Sequence, residues 1–406
     1  MPPCRGPPAT GCRPWACTNG STGSACEAAS RLRGFGGDRI TAAALPGCRA
    51  RLSKTPSRPT KAGPVENHRA LDRLPAEPAA QTERSMPHIV VVDPIHPDGI
   101  QRLLDAPGVT VDHPGNAASS DLAARLKDAE GLIVRGTVVD EALIAQAPKL
   151  KVVVRHGVGY DLVDVPALTK RGIALMITPE ANAASVAEHA LMLMLSIARR
   201  VLPVDAGVRR GEWRVKGQSQ TFELGGRRVL ILGFGRIGTR VARLCAAFGM
   251  KVGVHDPFMP AGTIRGAGYE VVKDRDEGLA AADIVTLHLP ASDATRGMVN
   301  AAFLAAMKPG AVLINTARGT LVDEAALDAA LRSGHLSGAG VDVLKVEPMV
   351  EVGPLLAHDS LVITPHVAAS TAEGLQRMSW DSAGNAMGYL AGEYDIDAVV
   401  NREVVR

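Results

Sequence analysis

Three segments of this sequence place a chemically versatile side chain directly after an apolar run. Ala311-Val-Leu-Ile-Asn-Thr-Ala-Arg318 stops at an arginine, Gly338-Ala-Gly-Val-Asp-Val-Leu-Lys-Val-Glu347 at a glutamate, and Leu361-Val-Ile-Thr-Pro-His366 at a histidine. Apolar runs of this length read as strands, and open α/β sheets build their sites at the ends of strands. A guanidinium can fork onto a carboxylate and polarise the carbonyl beside it. An imidazolium can hand a proton to an alkoxide as a hydride arrives, and a neighbouring carboxylate orients it and raises its pKa. Arg, Glu and His together therefore suit the reduction of a 2-oxo acid.

A hydride needs a carrier, and the segment Arg227 to Phe258 reads as a binding unit for one. An apolar strand runs into Gly233-Phe-Gly235-Arg236-Ile237-Gly238, and a helix follows with Ile237, Val241, Leu244, Cys245 and Phe248 on one face. The strand Lys251 to His255 then ends at Asp256, 18 residues after Gly238. Gly233 allows a tight turn, Gly235 lets the backbone approach a pyrophosphate, and Gly238 lets helix and strand pack closely. The helix N-terminus, at Arg236 and Ile237, offers free N–H groups to the phosphates. Asp256 can accept hydrogen bonds from adenosine ribose hydroxyls and repel a 2′-phosphate, which points to NAD. Cys245, on the apolar face, reads as a core residue.

The elements that must hold these residues are α/β. From His88 onward, strand-like runs (residues 88–93, 109–113, 131–136, 151–157 and 172–178) alternate with helical patterns, the rhythm of a parallel sheet. Residues 183–200 read as one long helix, and a second strand series starts at Arg227. We therefore expect two doubly wound parallel-sheet domains. A substrate domain comprises residues 86–185 with a returning segment 372–406, an NAD domain comprises 186–371, and a cleft lies between them. The chain's 406 residues are 46% hydrophobic but only 3% aromatic, which suits cores of Ala, Val, Leu and Ile between helices and parallel strands. The net charge of +3 is uneven: residues 1–85 hold 13 Lys and Arg against 6 Asp and Glu, and the rest holds 32 against 36. No Lys/Arg stripe interleaved with aromatics points to nucleic acid. No uncharged apolar run is long enough to span a bilayer. Five of the six cysteines lie in the first 50 residues, so the body has no disulfide framework and reads as cytoplasmic.

Taken together, these segments resemble the D-isomer-specific 2-hydroxyacid dehydrogenase family, which includes phosphoglycerate dehydrogenases and glyoxylate or hydroxypyruvate reductases. The resemblance covers about residues 88–401. It also rests on Arg155-His-Gly-Val-Gly-Tyr-Asp161, residues 182–188, Leu287-His-Leu-Pro290, residues 315–319 and Asp323-Glu324. It implies a flavodoxin-like substrate domain beside the Rossmann domain, with Arg318, Glu347 and His366 as the catalytic three. It further implies substrate contacts from Arg135 and from the N–H groups of Val158 and Gly159. For the cofactor it implies contacts from His288, Leu289, Pro290, Thr295, Thr316 and Ala317, with Asp342 at the nicotinamide carboxamide. A D product, a homodimer and no metal are also implied. Hydroxypyruvate, glyoxylate and 3-phosphohydroxypyruvate all remain open as the acid. The family often has Ser where Gly136 stands, and a glycine pair where Ala368 and Ala369 stand. About 40 residues follow His366, so the regulatory ACT domain of many phosphoglycerate dehydrogenases is not expected in this sequence.

Two rival readings are an NAD(H)-sensing corepressor-like binding protein and a formate or phosphite dehydrogenase-like enzyme. Formate dehydrogenases of this superfamily have Gln where this chain has Glu347. Residues 1–85 hold 11 of the 27 prolines and no sustained period, so they read as a disordered extension. Met86 then reads as the true start, with an organelle transit peptide as the competing account of the tail.

Overall fold

The computed structural model describes residues 86–113, 121–217, 220–350 and 352–405; the expectations for residues 1–85 lie outside the described residues. The first sheet is built from β1 (His88–Val91), β2 (Thr110–Asp112), β3 (Gly131–Val134), β4 (Val152–Arg155) and β5 (Ala174–Met176). Between its strands run α1 (Pro97–Leu104), α2 (Leu122–Leu126), α3 (Glu141–Ala145) and α4 (Val165–Lys170). All pairings are parallel, and the order β2-β1-β3-β4-β5 is that of a flavodoxin-like sheet.

The chain then passes through α5 (Ala183–Ala198) and α6 (Val201–Arg209). The single helix expected over 183–200 is α5, which ends at Ala198, and Arg200 takes a left-handed conformation at φ 49° that turns the chain into α6. The second sheet follows: β6 (Arg228–Leu232), α7 (Arg236–Ala247), β7 (Lys251–His255), α8 (Ala261–Gly266), β8 (Glu270–Val271), α9 (Arg275–Ala281) and β9 (Ile284–Leu287). It continues through α10 (Ala301–Ala306), β10 (Ala311–Asn315), α11 (Glu324–Arg332), β11 (Leu336–Val341) and β12 (Leu361–Ile363). Its order, β12-β11-β10-β9-β6-β7-β8, reverses direction at β6 and β9, as in a Rossmann sheet, and all its pairings are parallel.

Period-two burial explains why these runs are almost wholly apolar. Val229, Ile231, Val252, Val254, Ile284, Val312 and Ile314 face one core together with Leu193, Met194 and Ile197 of α5. Their alternates Leu230, Leu232, Val285, Leu287 and Leu313 face a second core with Phe303, Leu327 and Leu331. A sheet covered on both faces leaves no polar side to its strands. On α7 the expected face is only partly kept. Val241 and Cys245 are buried, whereas Phe248 caps the helix end with its ring exposed.

The chain finally returns to the first sheet. The helix α12 (Ala372–Ala391) packs on α1, β3 and β4, with Ser379 Oγ donating to His96 O at 2.8 Å. Buried Asn401 accepts from Leu175 N at 2.7 Å and donates to Ile173 O at 2.9 Å, tying the chain end beside β5. In β10, Leu313 is fully buried and lies five residues before Arg318. Leu313→Ala is expected to lower unfolding stability by about 2–5 kcal/mol in chemical denaturation, through lost burial and the cavity left behind.

Candidate active site

The turn after β6 is shaped by two close approaches. Gly233 adopts φ 93°, and a Cβ there would lie 2.4 Å from His288 O. A Cβ on Gly238 would lie 2.0 Å from Gly233 O, so the first turn of α7 sits directly on the loop. Gly235 caps α7 without a side chain, and the space where its Cβ would project is open. The first-turn N–H groups of Arg236, Ile237 and Gly238 are thus free to bind an anion, as a pyrophosphate requires. Asp256 lies beside this turn. Its Oδ2 accepts from Phe234 N at 2.8 Å, and its Oδ1 accepts from Phe258 N at 2.9 Å and Met259 N at 3.1 Å. Three of a carboxylate's roughly four acceptor positions are filled, which fixes its direction and leaves room for one hydroxyl.

The opposite wall is the chain after β9. Leu289 packs against Gly233, and the His288 ring pairs with Thr286 Oγ1 at 2.8 Å. Burial pushes the His288 imidazole down to about 3, so it is neutral. Thr295 does not present its hydroxyl proton to the cleft, because Oγ1 donates to Pro290 O at 2.7 Å and shapes that loop. Thr316 differs: it is buried, and its Oγ1 has no partner among the described residues. An orphaned buried hydroxyl just past the end of β10 fits a group that a bound dinucleotide would supply.

The three residues converge: Arg318 and His366 lie just past the ends of β10 and β12, whereas Glu347 lies six residues beyond the end of β11 at Val341, not at the strand end its apolar run suggested. His366 Nδ1 meets Glu347 Oε2 at 2.6 Å, and Glu347 Oε1 accepts from Leu344 N at 2.7 Å. The Glu347 bond raises the His366 pKa above its ordinary value, against burial and the charge of Arg318. Burial pushes Glu347 up, but its bonds to His366 and Leu344 outweigh that and leave it lowered. Arg318 acts electrostatically on both. Its turn is set by Asn315, which accepts from Ala317 N at 3.0 Å and donates to Arg318 O at 2.9 Å. Its Nε donates to Asp161 Oδ2 at 2.7 Å. Asp342, expected at the nicotinamide, is 1% exposed and holds the histidine loop: it accepts from Thr364 Oγ1 at 2.6 Å, and from Val367 N and Ala368 N at 2.9 Å.

From the other sheet come Val158 and Gly159, whose N–H groups have no acceptor among the described residues. Asp93 accepts from the N–H groups of Arg135, Gly136 and Thr137 at 2.6–3.1 Å, which pins the turn carrying Arg135. Sequence reasoning passed over Arg155. Burial pushes this guanidinium down to about 10, with Arg318 next in effect, and its hydrogen bond goes to the carbonyl of its neighbour His156. Neither Arg135 nor Arg155 is in an ion pair among the described residues. The signal for Arg155 was its place at the head of the segment ending at Asp161. Asn182, at the start of α5, was also passed over, and its buried Oδ1 has no partner among the described residues.

A Cβ on Gly159 would fall 1.9 Å from Arg318 Nη2. That contact is with the tip of a flexible side chain, so Gly159→Ala should leave stability nearly unchanged while displacing the guanidinium. Turnover is expected to drop by about 10²-fold, as for an ångström-scale misplacement, in steady-state assays beside a thermal melt.

Comparison with known proteins agrees with this arrangement. Residues 191–368 match the family described as D-isomer specific 2-hydroxyacid dehydrogenase, NAD binding domain. The D-3-phosphoglycerate dehydrogenase of Mycobacterium tuberculosis is 41% identical over 328 residues, which are 79% of this chain and 61% of that protein. The chain thus spans about three fifths of that curated relative's length. Among solved structures, a protein of Thermus thermophilus is 35% identical with a TM-score of 0.69, over 76% of this chain and 98% of that one. The NADPH-dependent glyoxylate/hydroxypyruvate reductase of Sinorhizobium meliloti, in complex with NADP and malonate, is 32% identical with a TM-score of 0.66, over 76% of this chain and 94% of that one. With its two parallel sheets and its converging Arg, Glu and His, the chain belongs to the D-isomer specific 2-hydroxyacid dehydrogenase family.

Proposed function

We propose that this protein is an NAD-dependent D-2-hydroxyacid dehydrogenase acting on a small 2-hydroxy or 2-oxo acid. In this reading residues 86–185 with 372–406 form the substrate domain, and residues 186–371 form the NAD domain. The observation that carries it is the His366–Glu347 pair at 2.6 Å within the field of Arg318. The nicotinamide, when bound, supplies or accepts the hydride at C2 of the acid. Arg318 holds the carboxylate and the developing oxyanion, and the Val158 and Gly159 N–H groups take the remaining carboxylate oxygen. His366 gives its proton to the carbonyl oxygen during reduction and takes it back during oxidation. Glu347 keeps the imidazole oriented and favours its charged form. Asp256 repels a 2′-phosphate, favouring NAD over NADP.

Arg135 and Arg155 support a finer reading, an acid that bears a second anionic group, as 3-phosphohydroxypyruvate does. Both are cations without a carboxylate partner among the described residues, and an unpaired buried charge such as Arg155 is costly until something neutralises it. A homodimer in the cytoplasm completes the proposal. It is supported by the family resemblance and by the exposed apolar side chains Val201, Leu202, Val208 and Trp213, the last 70% exposed.

A panel of glyoxylate, hydroxypyruvate and 3-phosphohydroxypyruvate, assayed with NADH and with NADPH, tests these statements. Turnover with NADH, highest kcat/KM on the phosphorylated acid and a strong preference over NADPH are expected. A protein that binds NADH and reduces none of them would instead be a sensor. Within an active enzyme, His366→Ala is expected to lower kcat by about 10²–10⁴-fold while NADH affinity stays within a few-fold. Because reduction needs the imidazolium and its pKa is raised, kcat should persist above the ordinary histidine pKa of about 6.5 and fall as pH rises through the raised value. Glu347→Gln removes the cause of the rise, so this limb should move to lower pH. An unchanged pH profile would separate the two side chains functionally.

A further inference from the structure

His189 lies on α5 and is joined to the loop that carries His366. Its Nε2 is 2.9 Å from Thr364 Oγ1 and 3.5 Å from Asp342 Oδ1. Thr364 has one hydroxyl proton and donates it to Asp342 at 2.6 Å. The proton between His189 and Thr364 must then come from Nε2, which sets the tautomer of the ring. Asp342 in turn accepts from Val367 N and Ala368 N, and its backbone carbonyl accepts from His366 N at 2.7 Å. Every bond in this series converges on residues 364–368, and His366 sits among them with φ 53°, a conformation that side-chain-bearing residues adopt only when held.

We propose that His189 is a positioning residue for His366: its Nε2–H, passed through the Thr364 hydroxyl, fixes the Asp342 carboxylate in the orientation that clamps the catalytic loop. This rests on reading His366 as the proton donor. The ring of His189 is 14% exposed, and Asp342 is the one charged group among the described residues that faces it. Burial holds its pKa below the ordinary value against the pull of Asp342, which favours the neutral ring. His366 is faced by Glu347, Asp342 and Arg318. A slackened clamp would shift His366 relative to Glu347, now at 2.6 Å, and weaken that contact.

The test compares His189→Leu, which removes the donor, with His189→Gln, whose amide can donate to Thr364. In His189→Leu, kcat is expected to fall about tenfold and its pH limb to move down by roughly half to one unit, with the NADH dissociation constant within about twofold. His189→Gln should recover most of both. A merely structural role would lower the melting temperature and leave the pH limb in place, and that result overturns the proposal. If His189→Leu fails to fold, Thr364→Val carries the same comparison by removing the relaying hydroxyl. A second readout is the titration of His366 itself, followed by nitrogen NMR in the full chain labelled at histidine. It needs no turnover. A wild type inactive on every acid would refute the functional reading, while a His366 titration that still moves in His189→Leu would uphold the positioning role. Coincident titrations in the two proteins would refute that role.

Discussion

A carboxylate buried at the end of a sheet has to be satisfied where it stands, and the geometry of this site follows from how Asp342 meets that demand. It is 1% exposed, at the carboxyl end of β11, and an uncompensated charge there would cost several kcal/mol. The chain leaving β12 answers it with the Thr364 hydroxyl and the Val367 and Ala368 N–H groups. To bring all three to one carboxylate the loop must fold back over β11, and His366 takes the left-handed turn. The imidazole then points at Glu347. Placement of the His366 imidazole is thus a by-product of neutralising a buried anion at the end of β11.

Parallel strands bring the rest of the site together. In each sheet every strand ends on the same edge, so residues remote in sequence meet without long excursions. Arg318, after β10, reaches Asp161, after β4 of the other sheet, at 2.7 Å. Gly159 is small because the guanidinium passes where a side chain would be. Around this contact the acids are already committed: Asp93 to backbone N–H groups, Asp161 to Arg318 and Glu347 to His366. Arg135 and Arg155 are left without an ion-pair partner among the described residues.

Much of this was legible in the chain itself. The glycine turn, the apolar runs and the Arg, Glu and His that follow them are local patterns, and local patterns survive in sequence because sterics and period-two burial act on neighbours. Gly233 and Gly238 make the tight turn and the close helix packing that their spacing implies. The turn into α6 was less legible, since Arg200 carries no glycine signal for its positive φ. Phe248 shows the limit of helical periodicity: it falls on the apolar face by count, yet it lies at the helix end where the core has run out.

Sequence alone thus determined the fold class and singled out the glycine turn and Arg318, Glu347 and His366 as candidates, because each depends on residue type and short-range spacing. Only the tertiary structure decided what Asp342, Thr295, Arg155 and His189 do. Asp342 holds the histidine loop, Thr295 spends its hydroxyl on Pro290, Arg155 stands unpaired beside Arg318, and His189 reaches Thr364 across 175 positions. Hydrogen-bond partners that far apart leave no trace in spacing. They are set by which strand ends the sheet order makes neighbours, and that order exists only once the chain has folded.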